Sequence, residues 1–258
     1  MPNELLGAFK KYELIHILAW YDIKSRYKRS VLGPFWLTLS MGIMIATIGI
    51  VFGTIFNTDL KKFFPFLTIG IILWGFIVSI LTEGCNTFIE NEAMIKQLPI
   101  PLFTYILRMT WRNIIILAHN IIILPLVFMA VGHPINLIFL LAIPGFILLL
   151  MNLIWVNLIL GCVCVRYRDI PQIITSILQI VFYVTPIMWM PENIASQNIH
   201  TLVNFNPVYH MIEIVRQPLL GNIPSIYNWL ISITINIIGW LVALRFFASY
   251  KSRITYWL

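Results

Sequence analysis

Residues Lys24 to Trp36 read KSRYKRSVLGPFW, and the parsing of that stretch decides the fold. Four cations, Lys24, Arg26, Lys28 and Arg29, run into Gly33-Pro34, and the chain is then uncharged and apolar from Phe35 to Ile55. Proline fixes φ and lacks an N–H, so it is tolerated in the first turn of a helix and disfavoured deeper inside one. The stretch predicts an interfacial helix, a sharp elbow, and a first membrane span starting beside Pro34. Positive charge near a span end resists translocation, which holds this end in the cytoplasm.

Composition agrees with a membrane-embedded chain. It is 60% hydrophobic and 10% charged, with a mean hydropathy of +0.89. A soluble domain carries roughly a quarter charged residues. The fold class is therefore an all-α membrane protein. A net charge of +7 suggests nucleic acid only in a polar chain; here topology explains the cations better. Glu4, Lys10, Lys11, Glu13 and His16 interrupt the first twenty residues, so no secretory signal peptide is expected there. Cys85, Cys162 and Cys164 have neither a disulfide-like even count nor a metal spacing.

Upstream of the elbow, residues 4 to 28 mix Leu14, Leu18 and Tyr21 with Lys10, Lys11, Asp22 and Arg26, the pattern of an amphipathic helix lying on the membrane. Asp22 and Arg26 are spaced for an i,i+4 pair. Residues 1–32 are assigned to this interfacial helix and 33–258 to a six-span bundle, together one transmembrane domain. The spans are expected near 35–55, 64–81, 113–131, 135–165, 173–190 and 229–247. The run from Ile135 to Val165 is read as one long span, because Pro144-Gly145 alone makes a thin turn. Between spans 2 and 3, Glu90, Glu92 and Lys96 interleave with Ile89, Met94 and Ile95, a short amphipathic helix over about 86–97 stopped by Pro99 and Pro101. Residues 191–227 form the longest polar loop, where short helices dipping into the outer interface are expected. With both termini inside, the cytoplasmic face holds 14 of the 17 Lys and Arg, leaving Lys61, Lys62 and Arg216 outside. That bias fits a multi-pass protein of the cytoplasmic (inner) membrane.

The chain resembles the permease subunit of ABC type-2 exporters, and within them those that move O-antigen, capsule or teichoic acid. The matching residues are Arg26-Tyr27-Lys28 with Leu32-Gly33-Pro34 and Trp36, then Ile95-Lys96 followed by Pro99 and Pro101, and further on Arg168-Asp169, Thr185-Pro186-Ile187 and Asn206-Pro207. It departs at Gln97-Leu98-Pro99, where a bulkier basic or aromatic approach is the expectation. No glycine-rich phosphate loop followed by Lys-Ser/Thr is present, so no cofactor is assigned to this chain. The resemblance implies a separate ATPase subunit carrying ATP and Mg, two copies of each chain, a pore between the two permeases, and a lipid-linked glycan polymer as cargo. It also implies that ATP-driven movement enters through Ile89, Glu90, Glu92, Met94, Ile95 and Lys96, flanked by Arg26 and Tyr27. Spans 1 and 5 would face the pore, offering Phe35, Trp36, Phe182, Tyr183 and Trp189 as flat apolar platforms for sugar C–H groups. Trp and Tyr elsewhere fit interfacial belts.

Two other functions compete. One is an ABC permease for drugs or small lipids, against which the aromatic residues of spans 1 and 5 argue. The other is a membrane enzyme of glycan or lipid metabolism, which needs acids or histidines clustered at one face. His16, His119, His133, His200 and His210 fall in different segments, and no pair of aspartates appears.

Overall fold

The computed structural model describes residues 2–26, 28, 33, 35–55, 58–134, 136–193 and 197–258. Among these no strand occurs. The helices are α1 (Pro2–Phe9), α2 (Tyr12–Arg26), α3 (Phe35–Ile55), α4 (Leu60–Glu90), α5 (Glu92–Gln97), α6 (Leu102–Ile121), α7 (Ile123–Val131), α8 (Ala142–Arg166), α9 (Ile170–Val184), α10 (Gln197–Asn204), α11 (Pro207–Leu219) and α12 (Ile226–Trp257). Five stretches are long and apolar enough to cross a membrane: Phe35–Ile55, Leu60–Glu90, Leu102–Val131, Leu137–Arg166 and Ile226–Trp257. The chain is a multi-pass membrane protein.

α4 is the spine. It packs against α3, α6, α7, α8, α9 and α11, and 72% of its most apolar window is buried, against 11% for α3. Asp59 starts it, its carboxylate accepting the Lys61 N–H at 3.0 Å. Glycines set the close approaches around it. A Cβ at Gly84 would overlap the Asn157 amide of α8, and one at Gly49 would overlap the Phe64 ring. The α8–α12 seam follows the same rule, with Gly239 seating the Trp155 indole, while Asn152 donates to the Ser232 carbonyl at 3.3 Å. Small residues and amide side chains of this kind hold helices together where lipid removes the hydrophobic drive.

Element limits depart from the sequence expectations in five places. The helix that carries the second span runs on past residue 81 to Glu90, because the polar residues that follow bond back into their own helix: Thr82 Oγ1 to the Val78 carbonyl at 2.7 Å, Thr87 Oγ1 to that of Glu83 at 2.9 Å. The helix expected at 86–97 is thus divided, 86–90 belonging to α4 and only Glu92–Gln97 forming α5. The helix that carries the third span begins at Leu102, upstream of 113, and holds Arg108 and Arg112, both neutralised from other helices. The interfacial helix is two helices, α1 and α2, broken at Lys10-Lys11. α9 ends at Val184, one residue before Thr185-Pro186; its 15 residues reach about 22 Å, short of a ~30 Å hydrocarbon core. Pro144, by contrast, falls in the first turn of α8, so 137–166 stays one span.

At the elbow, Gly33 has φ of 56°, a left-handed conformation that L side chains rarely adopt. Pro34, Tyr27 and Arg29 lie outside the described residues. Gly132, at φ of 70°, closes α7, with the His133 N–H on the Phe128 carbonyl at 2.9 Å.

Gly145 is the tightest backbone contact, since a Cβ there would overlap the Ile214 carbonyl oxygen of α11. Backbone cannot swing aside as a side chain can. Gly145→Ala is expected to cost about 1–3 kcal/mol through overpacking. Gly42→Ala, which meets nothing within 4 Å, is expected to be neutral. Thermal melting of the two purified variants compares them directly, and equal melting would show that α8 and α11 slide freely.

Candidate functional site

Two polar nodes lie at opposite ends of α4. The first is at the basic end of the bundle, where α2, α4 and α6 meet. Arg108 donates to both oxygens of Asp22, Nε at 2.9 Å and Nη2 at 2.5 Å, a bidentate fork. Arg112 bridges Asp22 (3.3 Å) and Glu83 (2.7 Å). Glu83 also accepts from Arg26 at 3.1 Å and from the Asn113 amide at 2.7 Å. The expected Asp22–Arg26 pair does not form. Each residue instead reaches a different transmembrane helix, because the partly buried arginines of α6 compete more strongly than an exposed neighbour one turn away. α2 is thereby tied down by charge as well as by its buried stripe Ile15, Ala19 and Ile23.

α5 hangs below this node. Asn91, between α4 and α5, accepts from Arg108 at 3.2 Å. On α5, Lys96 and Glu92 pair at 2.6 Å with both side chains nearly half exposed. The Lys96 ammonium holds the Glu92 carboxyl below its ordinary value, and Arg168 adds to that field from the α8–α9 turn. Ile89, Met94 and Ile95 are half-buried against the chain's own core of Phe88, Phe103, Leu158 and Phe247. The free surface here is therefore Glu90, Ala93, Lys96, Gln97 and Leu98, the last 46% exposed. Sequence spacing alone could not show which face of so short a helix its own bundle would cover. Tyr27 lies outside the described residues.

The five aromatic residues proposed as sugar platforms are not brought together. Phe35 and Trp36 sit at the basic end of α3, both 55% exposed, with Phe35 edge-on to His119 at 5.6 Å. Phe182 and Tyr183 lie at the other end of α9. Phe182 packs on Trp74 of α4 at 5.5 Å, whereas Tyr183 is 74% exposed. The Trp189 indole donates to the Tyr183 carbonyl at 3.4 Å. α3 and α9 flank α4 and leave broad apolar faces uncovered: α9 buries only Leu178.

The second node was missed in the sequence, although its residues were in view. Thr185-Pro186-Ile187 and Asn206-Pro207 touch each other. Asn206 donates to Thr185 Oγ1 at 2.8 Å, and its carbonyl oxygen caps α11 by accepting from the Val208 and Tyr209 N–H groups. Pro207 takes the first helical position, where a missing N–H costs nothing. Inside α11, Glu213 and Arg216 form an ion pair, their side chains 2% and 0% exposed. Arg216 is thus buried, not an exterior charge. Its Nη1 donates to the Pro186 carbonyl at 2.7 Å, and its guanidinium lies 3.9 Å from the Phe66 ring. Gln217 donates to Glu213 at 2.5 Å. His210, also buried, bonds the Asn204 carbonyl and the Asn228 side chain at 2.8 Å each. α11 therefore sits within the fold, against α4, α8 and α12.

With that geometry in place, comparison with known proteins identifies the class. A profile described as "ABC-2 type transporter" matches residues 13–220, and the chain belongs to that family. Among curated proteins it is similar to the O-antigen export system permease protein RfbA of Klebsiella pneumoniae. One such sequence is 22% identical over 204 residues, 78% of each chain, and a second is 22% identical over 216 residues, 82% of each. The RfbA of Myxococcus xanthus is 22% identical over 204 residues, 77% of each chain.

The buried pair makes a test. Arg216→Ala leaves Glu213 buried and unpaired, a loss expected near 3–5 kcal/mol. Glu213→Leu with Arg216→Leu should regain part of it, the Pro186 carbonyl remaining without its donor at about 1–3 kcal/mol. Melting temperatures give the order wild type, double variant, single variant; a single variant melting with wild type would remove the pair from any structural role.

Proposed function

We propose that this chain is the transmembrane subunit of an ATP-driven exporter that carries a lipid-linked polysaccharide, such as O-antigen, or a teichoic acid across the cytoplasmic membrane. The observation that carries this reading is the family match over 13–220, joined by relatives named for O-antigen export. The basic end then lies in the cytoplasm with both termini, in line with the charge bias. α1 and α2 form the amphipathic interfacial element. α9, continued by residues 185–190, makes the remaining passage, fifth of six in chain order. Two copies of the chain enclose the path, and the uncovered faces of α3 and α9 support a second copy there. Each copy works with a cytoplasmic ABC ATPase subunit, which holds ATP and Mg.

Energy enters at α5. The exposed strip Ala93, Lys96, Gln97 and Leu98 meets the ATPase, while Met94 and Ile95 anchor α5 to the bundle. Motion of α5 reaches Arg108 through Asn91, and the Asp22–Arg112–Glu83 network passes it to α2 and α4. Exposed rim charges mainly tune specificity and association rate, whereas apolar anchors carry affinity. Leu98→Asp is therefore expected to release the ATPase on co-purification or to uncouple its ATP turnover from polymer, while Glu92→Gln does less. Wild-type binding and coupling in Leu98→Asp would refute this contact surface.

The exposed Tyr183 and Trp36 serve as sugar platforms, and Phe182 as packing beneath Tyr183. Tyr183→Ala is expected to lower export several-fold at normal protein level, on the ~0.5–1.5 kcal/mol scale of aromatic contacts. Phe182→Ala should instead lower the amount of folded protein. Unchanged polymer export in Tyr183→Ala would take this residue off the path.

A further inference from the structure

A large cavity lies outside both nodes. It is an apolar groove of about 1060 Å³ between α2 on one side and α6, α8 and α12 on the other. At its basic-end mouth, Phe9 lies 6.2 Å from Phe103, in the first turn of α6. Its far end is reached by Ile114 and Met151. From Phe103 to Ile114 along α6 is about 16 Å, one leaflet of a ~30 Å hydrocarbon core. No part of α3 or α9 lines it.

Two features indicate more than a slot for passing solvent. Thr110, 3% exposed, lines the groove, and its hydroxyl has no hydrogen-bond partner; the Trp240 indole N–H on the same α6–α8–α12 wall has none either. Both atoms are sealed behind an apolar lining, so the groove offers an occupant almost only hydrocarbon contacts. Water is a poor filling for so apolar a volume. An amphiphile suits this lining, with a hydrocarbon chain along the groove and its polar headgroup held at the mouth. At the mouth, Lys10 and Lys11 sit between the lining residues Phe9 and Tyr12, Lys10 exposed and Lys11 half-buried. Glu13, on the same lip, accepts the Tyr12 hydroxyl at 3.2 Å, and His16 accepts the Trp111 indole N–H at 2.9 Å. A basic pair at headgroup level attracts anionic lipid.

We propose that this groove is a binding site for an anionic phospholipid of the leaflet at the basic end, its acyl chain between α2 and the α6–α8–α12 wall and its phosphate on Lys10 and Lys11. The bound lipid completes the seat of α2. It is a resident of the fold, separate from the cargo, and it stands whether or not the polysaccharide assignment holds.

The test uses the full-length chain purified in detergent, exhaustively washed, and exposed to mixed micelles of phosphatidylglycerol or phosphatidylcholine. Native mass spectrometry then counts retained lipid per chain. Wild type is expected to retain phosphatidylglycerol in preference to phosphatidylcholine. Ile154→Trp, which fills the groove, should lower retention of both about tenfold. Lys10→Gln with Lys11→Gln should abolish the preference while leaving the groove occupied. Leu107→Trp serves as a second filling variant should Ile154→Trp fail to remain monodisperse. Equal retention in the filled variants would overturn the proposal, as would retention of a polyprenyl-linked glycan in place of phospholipid. A disulfide between two copies at Met151→Cys would overturn it as well, by making the groove a face between subunits.

Discussion

A helix that stops inside an apolar bundle leaves carbonyl groups with no water to bond, and this protein's answer to that constraint organises one whole end of the fold. α9 halts at Val184 beside the spine. The Val181 carbonyl then accepts both the N–H and the hydroxyl of Thr185, at 2.8 and 2.7 Å. The Tyr183 carbonyl takes the Trp189 indole, the Thr185 carbonyl takes the Ile187 N–H at 2.8 Å, and the Pro186 carbonyl takes Arg216. Non-helical backbone is tolerated at membrane depth only where protein re-satisfies it in this way. Arg216 must then be buried, Glu213 must accompany it, and α11 must turn back into the bundle to deliver both.

α4 is continuous between this node and the ionic node at its other end. Gly70 lies beside Ile187 and Arg216, with a Cβ there 3.5 Å from the guanidinium. Glu83, thirteen residues on, is about 20 Å further along the same helix. Neither node includes an unpaired acid. Asp22, Glu83 and Glu213 each accept from arginine, which is how a chain this apolar keeps carboxylates within its helices. The network around Asp22 is also the only charged tie between α2 and the spans that the described residues show, so the seat of α2 rests on it together with the Ile15–Ala19–Ile23 stripe.

How much of this was legible in the residues depended on range. The helix of the first span was readable, because an uncharged run of 21 residues preceded by cations and Gly-Pro favours one long apolar helix. The lengths of the helices carrying the second and third spans were not, because local rules treat Glu83, Arg108 and Arg112 as charges that end an apolar helix. Their partners are distant in sequence: Asp22 is 86 residues from Arg108, and Glu83 is 29 from Arg112. The same limit hid the second node. Thr185-Pro186-Ile187 and Asn206-Pro207 stood out as separate motifs, yet nothing local says that Asn206 bonds Thr185 or that Arg216 leaves water to reach Pro186. The aromatic residues are divided by a different factor. Exposure decides whether a ring is a platform or packing, and Phe182 and Tyr183, adjacent in sequence, fall on opposite sides of that division.

The two nodes differ in what they can tolerate. At Asp22 and Glu83 the side chains keep 15% and 21% of their exposure, so water shares their solvation and loss of one arginine leaves an acid that can still be hydrated. At Glu213 and Arg216 nothing is left exposed, and loss of either partner strands a charge in low dielectric, where the penalty is several kcal/mol. A partly hydrated ion network can exchange partners at modest cost, as Arg112 does in bridging two acids. A fully buried pair with a backbone carbonyl as its third member cannot. Within the proposed exporter, therefore, helix movement belongs at the basic end, where α2, α4 and α6 meet. The far end, with α9, α11 and the spine locked through Arg216, moves as one body.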